Sequence, residues 1–182
     1  MGKGLAKTSP QTRSPGPHRS RGIVRRRHVF FGEKRGECVG KTKRGKGTKV
    51  MVLTDGNGLP LNATIASASP SEVKLFESLI DSRLQTRPPQ RLIYDHAADS
   101  DPLRKNLLRR GIELICPHRS NRVKPPTQDG RPLRRYRRRW KVERSISWIQ
   151  NFRRIVTRYE CHAHLFHVFV QLACLVITLN RF

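Results

Sequence analysis

The sequence predicts an α/β domain built on a mixed sheet flanked by helices, and three observations predict it. A β-branched apolar run, Thr48 to Thr54, is joined to a second, Leu59 to Ala68, by Asp55-Gly56-Asn57-Gly58, whose residues tolerate the positive φ of a hairpin turn. Beyond that hairpin, helical and strand-like segments alternate, as in a layered sheet-and-helix domain. Leu133 to Arg154 contains no Gly or Pro and carries Val142, Ile146, Ile149 and Phe152 at helical spacing, so it reads as one long helix with a buried stripe.

Taken in order, Met1 to Arg27 holds Lys, Arg, Ser, Pro and Gly with almost nothing to bury, and is expected to be a disordered basic tail. The domain is placed at residues 28–182. His28 to Phe31 reads as a strand remnant, and Gly36 to Gly47 as a basic connecting loop. Within it Gly40-Lys41-Thr42 resembles a phosphate-binding loop, but Arg35 stands where that motif needs its first Gly, so nucleotide binding is rejected. After the hairpin, Ser69-Pro70-Ser71-Glu72 reads as a capping box opening a helix, with Val73, Phe76, Leu79 and Ile80 inward. Arg91 to Asp95 is a short strand ending in an acid. Ser100 or Asp101 caps the next helix, Leu103 to Arg110, and Ile112 to Cys116 is another strand. Pro117 to Pro132 is a loop, and a last buried helix spans about His164 to Asn180.

The chain's 182 residues suit one domain with a tail. Against 13 acids stand 38 Lys and Arg, a net charge of +25, and the natural partner of such an excess is a polyanion. A membrane span is not expected, because His167, Gln171 and Thr178 interrupt the most apolar run, Leu165 to Leu179. The N-terminus is polar and basic, unlike a secretory signal. Cys38, Cys116, Cys161 and Cys174 form no Cys-x-x-Cys pair and read as reduced thiols.

Glu143 is the sole acid between Tyr136 and Phe152. On a 3.6-residue period it falls near Tyr136 and Arg139, either as an i, i+4 ion pair or as a metal ligand among phosphate-binding cations. Asp55 is read as turn chemistry, Asp99 and Asp101 as helix caps, Trp140 and Trp148 as packing residues, and Cys116 and His118 as core and loop. Cys161, His162, His164 and His167 lack a second ligand pair in sequence, so no zinc site is expected.

Three segments in order carry a resemblance: Gly40 to Lys49 running on through Asp55 to Leu61; Asp95-His96-Ala97-Ala98-Asp99-Ser100-Asp101; and Tyr136-x2-Arg139-x3-Glu143 within Tyr136 to Arg154. Over about residues 34 to 182 the chain resembles the catalytic domain of bacterial insertion-sequence transposases of the DDE type, which implies a ribonuclease H-like fold. The resemblance implies that Asp95 and Glu143 are the second and third acids of a catalytic triad. They would bind two Mg²⁺ (or Mn²⁺) ions about 3.5–4 Å apart for in-line phosphoryl displacement. It implies DNA contacts for Tyr136 and Arg139, with Arg137, Arg138, Lys141 and Arg144 neutralising phosphates; the basic loop residues Lys41, Lys43, Arg44 and Lys46 would add to them. The implied partner is double-stranded DNA, insertion-sequence ends and target, with a homodimer allowed and no membrane. The implied location is the bacterial cytoplasm, on the nucleoid.

The departures carry equal weight. With Phe30-Phe31 as the register mark, the family's first acid falls near Arg27, and there is no Asp or Glu from Met1 to Gly32. Glu33 and Glu37 lie in the loop, Gln150 stands at the family's Lys, and Ala98 at its Tyr. A frameshifted or truncated N-terminus would account for the missing acid, and the expectation is a copy inactive in strand cleavage and transfer. The competing class, favoured by charge alone, is a non-catalytic, ribosomal-protein-like nucleic-acid binder.

Overall fold

The computed structural model describes residues 21–31, 36–42, 45–82 and 88–181. A six-stranded mixed sheet runs through them: β1 (Arg21–Phe31), β2 (Gly40–Thr42), β3 (Gly45–Thr54), β4 (Pro60–Ser67), β5 (Arg91–Ile93) and β6 (Glu113–Ile115). The order is β2-β3-β1-β5-β6, with β4 also paired to β3. β1, β5 and β6 run parallel, and β3 is antiparallel to β1, β2 and β4. Six helices surround the sheet: α1 (Glu72–Asp81), α2 (Asp101–Arg109), α3 (Gly130–Leu133), α4 (Trp140–Gln150), α5 (Arg153–Val156) and α6 (Ala163–Leu179).

β3 shows why the layers form. It is buried from Gly47 to Thr54, and its side chains alternate between two cores. Met51 and Leu53 join Phe76, Leu79 and Ile80 of α1, Leu103 and Leu107 of α2, and Leu92 and Tyr94. Val50 and Val52 face the other way, onto Ile149, Phe166, Val170, Ala173 and Ile177 from α4 and α6. A smaller cluster of Ile93, Ile115 and Val142, packed by Leu133 and Tyr136, sits at the ends of β5 and β6.

Several expectations are corrected. The basic tail was expected through Arg27, with only a remnant strand after it. The strand instead begins at Arg21, where Ile23 aligns with both Thr54 and Ile93. A central strand takes its hydrogen bonds from two neighbours, and that outweighs its Arg-rich composition. The rest of the expected tail, residues 1–20, lies outside the described residues. The basic loop contains a strand, β2, with Lys41 opposite Lys46, and Gly40 fits there because an added Cβ would lie 2.8 Å from the Ala68 amide nitrogen. Ser71 and not Ser69 stands at the start of α1, without a side-chain cap bond. The Pro70 carbonyl, outside the helix, accepts from the buried Lys49 ammonium at 2.5 Å.

The expected single helix from Leu133 to Arg154 is broken. Arg134–Arg139 forms a 3-10 segment in which no residue is buried. Five arginines crowd that stretch with Tyr136 alone packed on a core cluster, and regular α-helix resumes only where Val142 and Ile149 are buried. α6 is buried on one face only: Leu165, Val168, Leu172, Leu175, Val176 and Leu179 stand 40–63% exposed on the other. No described helix is long and apolar enough to cross a membrane.

Candidate nucleic-acid interface and acid site

Asp95 leaves β5 at the carboxyl ends of the parallel strands β5 and β6, where functional groups collect in sheets of this kind. Its carboxyl is 1% exposed, and Oδ1 accepts from the Ala97 amide at 2.8 Å, capping the 3-10 turn His96–Ala98. α4 reaches the same end of the sheet, because Val142 is buried against Ile93 and Ile115 with Tyr136 packed beside it. Glu143 follows Val142 in the helical turn that packs there.

Tyr136, Arg139 and Glu143 form a linked row. Arg139 Nη1 donates to the Tyr136 hydroxyl at 2.6 Å while its guanidinium lies 5.0 Å from the ring centroid. Its Nε stands 3.7 Å from Glu143 Oε1, with both side chains a little over a third exposed. An ion pair this open contributes little to stability, and it leaves the carboxylate in reach of solvent and ligands.

The basic residues divide into two groups. Arg137 and Arg138 project from the 3-10 segment and are exposed, as are Lys41 and Lys46 at the β2–β3 edge. Lys141 Nζ instead donates to the Gly56 carbonyl at 2.6 Å, and Arg144 Nη2 to the Asn57 carbonyl at 2.8 Å. Ser145 donates to the Gly58 carbonyl as well, so α4 grips the hairpin turn. Two residues expected to neutralise phosphates thus hold a loop with part of their hydrogen-bonding capacity. Lys43 and Arg44 lie outside the described residues.

Sequence reasoning missed the surface beside that turn. Arg144 stacks between Trp140 and Trp148, its Cζ 4.9 and 4.8 Å from their centroids, and Arg181 lies 4.1 Å from that of Trp148. Together with Asn57, Leu59 and Lys141 they line a cavity of about 500 Å³. Trp140 is 50% exposed, which corrects its reading as a packing residue. The exposed aromatics within an Arg-rich stretch were the available signal.

Asp99 is a hub of hydrogen bonds, where a helix cap was expected. Its Oδ1 takes Arg104 at 3.0 Å, His118 at 2.9 Å and Arg122 at 3.5 Å, and its Oδ2 takes the Arg119 amide at 2.9 Å. Burial by itself raises its pKa, but the hydrogen bonds from the Arg119 amide, His118 and Arg104 prevail and hold it at about 2. Cys116 is pushed up to about 11 by burial and Cys174 to about 12, so both stay neutral thiols. Asp55 behaves as expected, its Oδ1 accepting from the Asn57 and Leu59 amides at 2.8 Å each.

A two-ion magnesium site needs several hard oxygen donors. The resemblance supplies two carboxylates, Asp95 and Glu143, and among the described residues β1, the neighbour of β5, reads Arg-Gly-Ile-Val-Arg-Arg-Arg-His-Val-Phe-Phe without an acid. The set does not fit two ions.

A family model for the transposase DDE domain matches residues 12–179. The protein assigned as the transposase for insertion sequence element IS402 of Burkholderia cepacia is 35% identical over 142 residues, 74% of this chain and 64% of that protein. The chain thus spans under two thirds of that relative's length. Among solved structures, that of the piggyBac transposase synaptic complex with hairpin DNA superposes with a TM-score of 0.56 at 14% identity, covering 92% of this chain and 48% of that one. The superposition speaks for the fold; the family match and the 35% identity speak for descent. They displace the ribosomal-protein-like alternative, and the chain belongs to the transposase DDE-domain family.

Proposed function

We propose that this chain acts in insertion-sequence transposition as a ribonuclease H-like DDE domain that binds DNA without cutting or joining it. One observation carries the reading: β1, which pairs in parallel with β5 with Ile23 opposite Ile93, contains no acid anywhere in its sequence. A strand without a carboxylate offers a divalent cation no ligand beside the one that Asp95 supplies. Asp95 and Glu143 are the second and third acids of a site one ligand short, so no phosphoryl-transfer step is assigned to it.

DNA binding rests on the residues that remain. Arg137 and Arg138 on the 3-10 segment, and Lys41 and Lys46 on the β2–β3 edge, offer phosphate contacts that position a duplex without reading its sequence. The Tyr136–Arg139–Glu143 row, interleaved in sequence with Arg137 and Arg138, would offer the Arg139 guanidinium to a backbone phosphate. The ligand is the double-stranded DNA of element ends and target, and the setting is the bacterial nucleoid.

Two measurements on one labelled duplex test this. Fluorescence anisotropy should show salt-sensitive binding that Arg137→Ala combined with Arg138→Ala weakens and that Asp95→Ala and Glu143→Ala do not abolish. A nicking and strand-transfer assay with Mg²⁺ or Mn²⁺ should show no product above the protein-free blank. Turnover that either substitution abolishes would overturn the reading.

A further inference from the structure

We infer that Glu37, His162 and His164 form a binding site for a zinc-class divalent ion. The site is remote from the acid site and independent of the DNA-binding reading. One carboxylate oxygen and one imidazole nitrogen from each His lie within 4.8 Å of one another, and the two rings stand 5.5 Å apart, tilted by 34°. Ligand atoms around a tetrahedral zinc at about 2.0 Å lie about 3.3 Å from each other, so modest side-chain rotations close the set. Two imidazoles and a carboxylate suit zinc better than magnesium and leave a fourth position for water.

The backbone under these side chains is held in place. The Glu37 amide donates to the Cys161 carbonyl at 3.3 Å, and the Ala163 amide donates to Glu37 Oε2 at 3.2 Å. Gly36, at φ +132°, permits the close approach, because a Cβ there would lie 2.7 Å from the Cys161 carbonyl oxygen. Behind them Arg158, 2% exposed, donates to the Cys161 carbonyl at 3.0 Å, the Glu160 carbonyl at 2.8 Å and the Thr48 hydroxyl at 2.5 Å. Thr48 in turn donates to the Cys38 carbonyl at 3.0 Å. The guanidinium is thus spent on two backbone carbonyls and a hydroxyl while the ligand side chains stay exposed. A bound ion would clip the segment before β2 to the start of α6. Glu37 supplies the third ligand, which is why His162 and His164 do not look like a metal site in sequence.

The test uses the untagged full chain after chelator treatment. Calorimetric titration with Zn²⁺ should show one equivalent bound, and Co²⁺ should give the visible bands of a low-coordinate site. His162→Ala and His164→Ala should each weaken binding by about tenfold or more, Glu37→Gln likewise, while Cys161→Ser should leave it unchanged. Zinc should raise the melting temperature of the parent chain and not that of the doubly substituted His162→Ala/His164→Ala chain. All three ligands are exposed, so circular dichroism of the metal-free variants should match the parent. Zinc affinity unchanged in the double variant, or no binding by the parent, would overturn the assignment.

Discussion

Asp99 concentrates more polar contacts than any expectation from its sequence neighbourhood allowed, because its partners Arg119, His118 and Arg122 come from the later loop. Its side chain is 3% exposed. Asp99→Ala would strand Arg104 and Arg122 without their shared carboxylate, and we expect a loss of about 3 kcal/mol in urea unfolding. The pH dependence follows in sign. The folded pKa of about 2 lies below the ordinary 3.8, so the carboxylate's contribution is in place above pH 4 and drains away as pH falls toward 2. That contribution is on the order of 2 kcal/mol, and acid titration of the Asp99→Asn chain should lack it. Asp55, by contrast, was legible because its partners, the Asn57 and Leu59 amides, lie within four residues of it. The approach of Glu37 to His162 and His164 was not legible for the opposite reason: Glu37 is bonded to Ala163 across 126 positions.

Among the elements, the hairpin and the helices α1, α2 and α6 declare themselves through alternation and helical spacing, which are local properties of the chain. β1 does not, since what makes it a strand is pairing with Thr54 and Ile93, both far along the sequence. The break in the helix expected from Leu133 to Arg154 also escaped, because absence of Gly and Pro says nothing about where burial stops. The junction of α4 with the hairpin invites a direct experiment. Gly58 adopts φ +89°, and a Cβ there would meet the Lys141 carbonyl oxygen at 2.9 Å. Gly58→Ala should therefore cost about 1–3 kcal/mol, read by thermal or urea unfolding, and loosen the turn from Lys141, Arg144 and Ser145.

For the whole molecule, a charge of +25 makes affinity for DNA a matter of counterion release. The logarithm of the binding constant should fall linearly with the logarithm of salt concentration, with about 0.9 of slope per phosphate neutralised. Arg137→Ala combined with Arg138→Ala should flatten that slope by about 1–2 and weaken unrelated duplexes equally, as measured by anisotropy across a salt series. The sequence made legible the excess of positive charge, the place of Asp95 after a strand and that of Glu143 on a helix. It did not reveal how Lys141 and Arg144 divide their donors between the Gly56 and Asn57 carbonyls and any ligand, since that depends on how helix and turn meet.

α6 has one more consequence. Phe166, Val170, Ala173 and Ile177 roof the sheet side formed by Phe30, Val50, Val52 and Ala63, and His167 Nε2 fastens them to the Ala63 carbonyl at 2.8 Å. A stop codon anywhere ahead of Ala163 would therefore not yield a leaner DNA binder. It would leave a greasy sheet bare to water, and light scattering should find such a product clumped and its soluble yield close to nil. Natural decay of the gene from its 3′ side would be expected to erase the protein outright, whereas loss of a single acid leaves it standing.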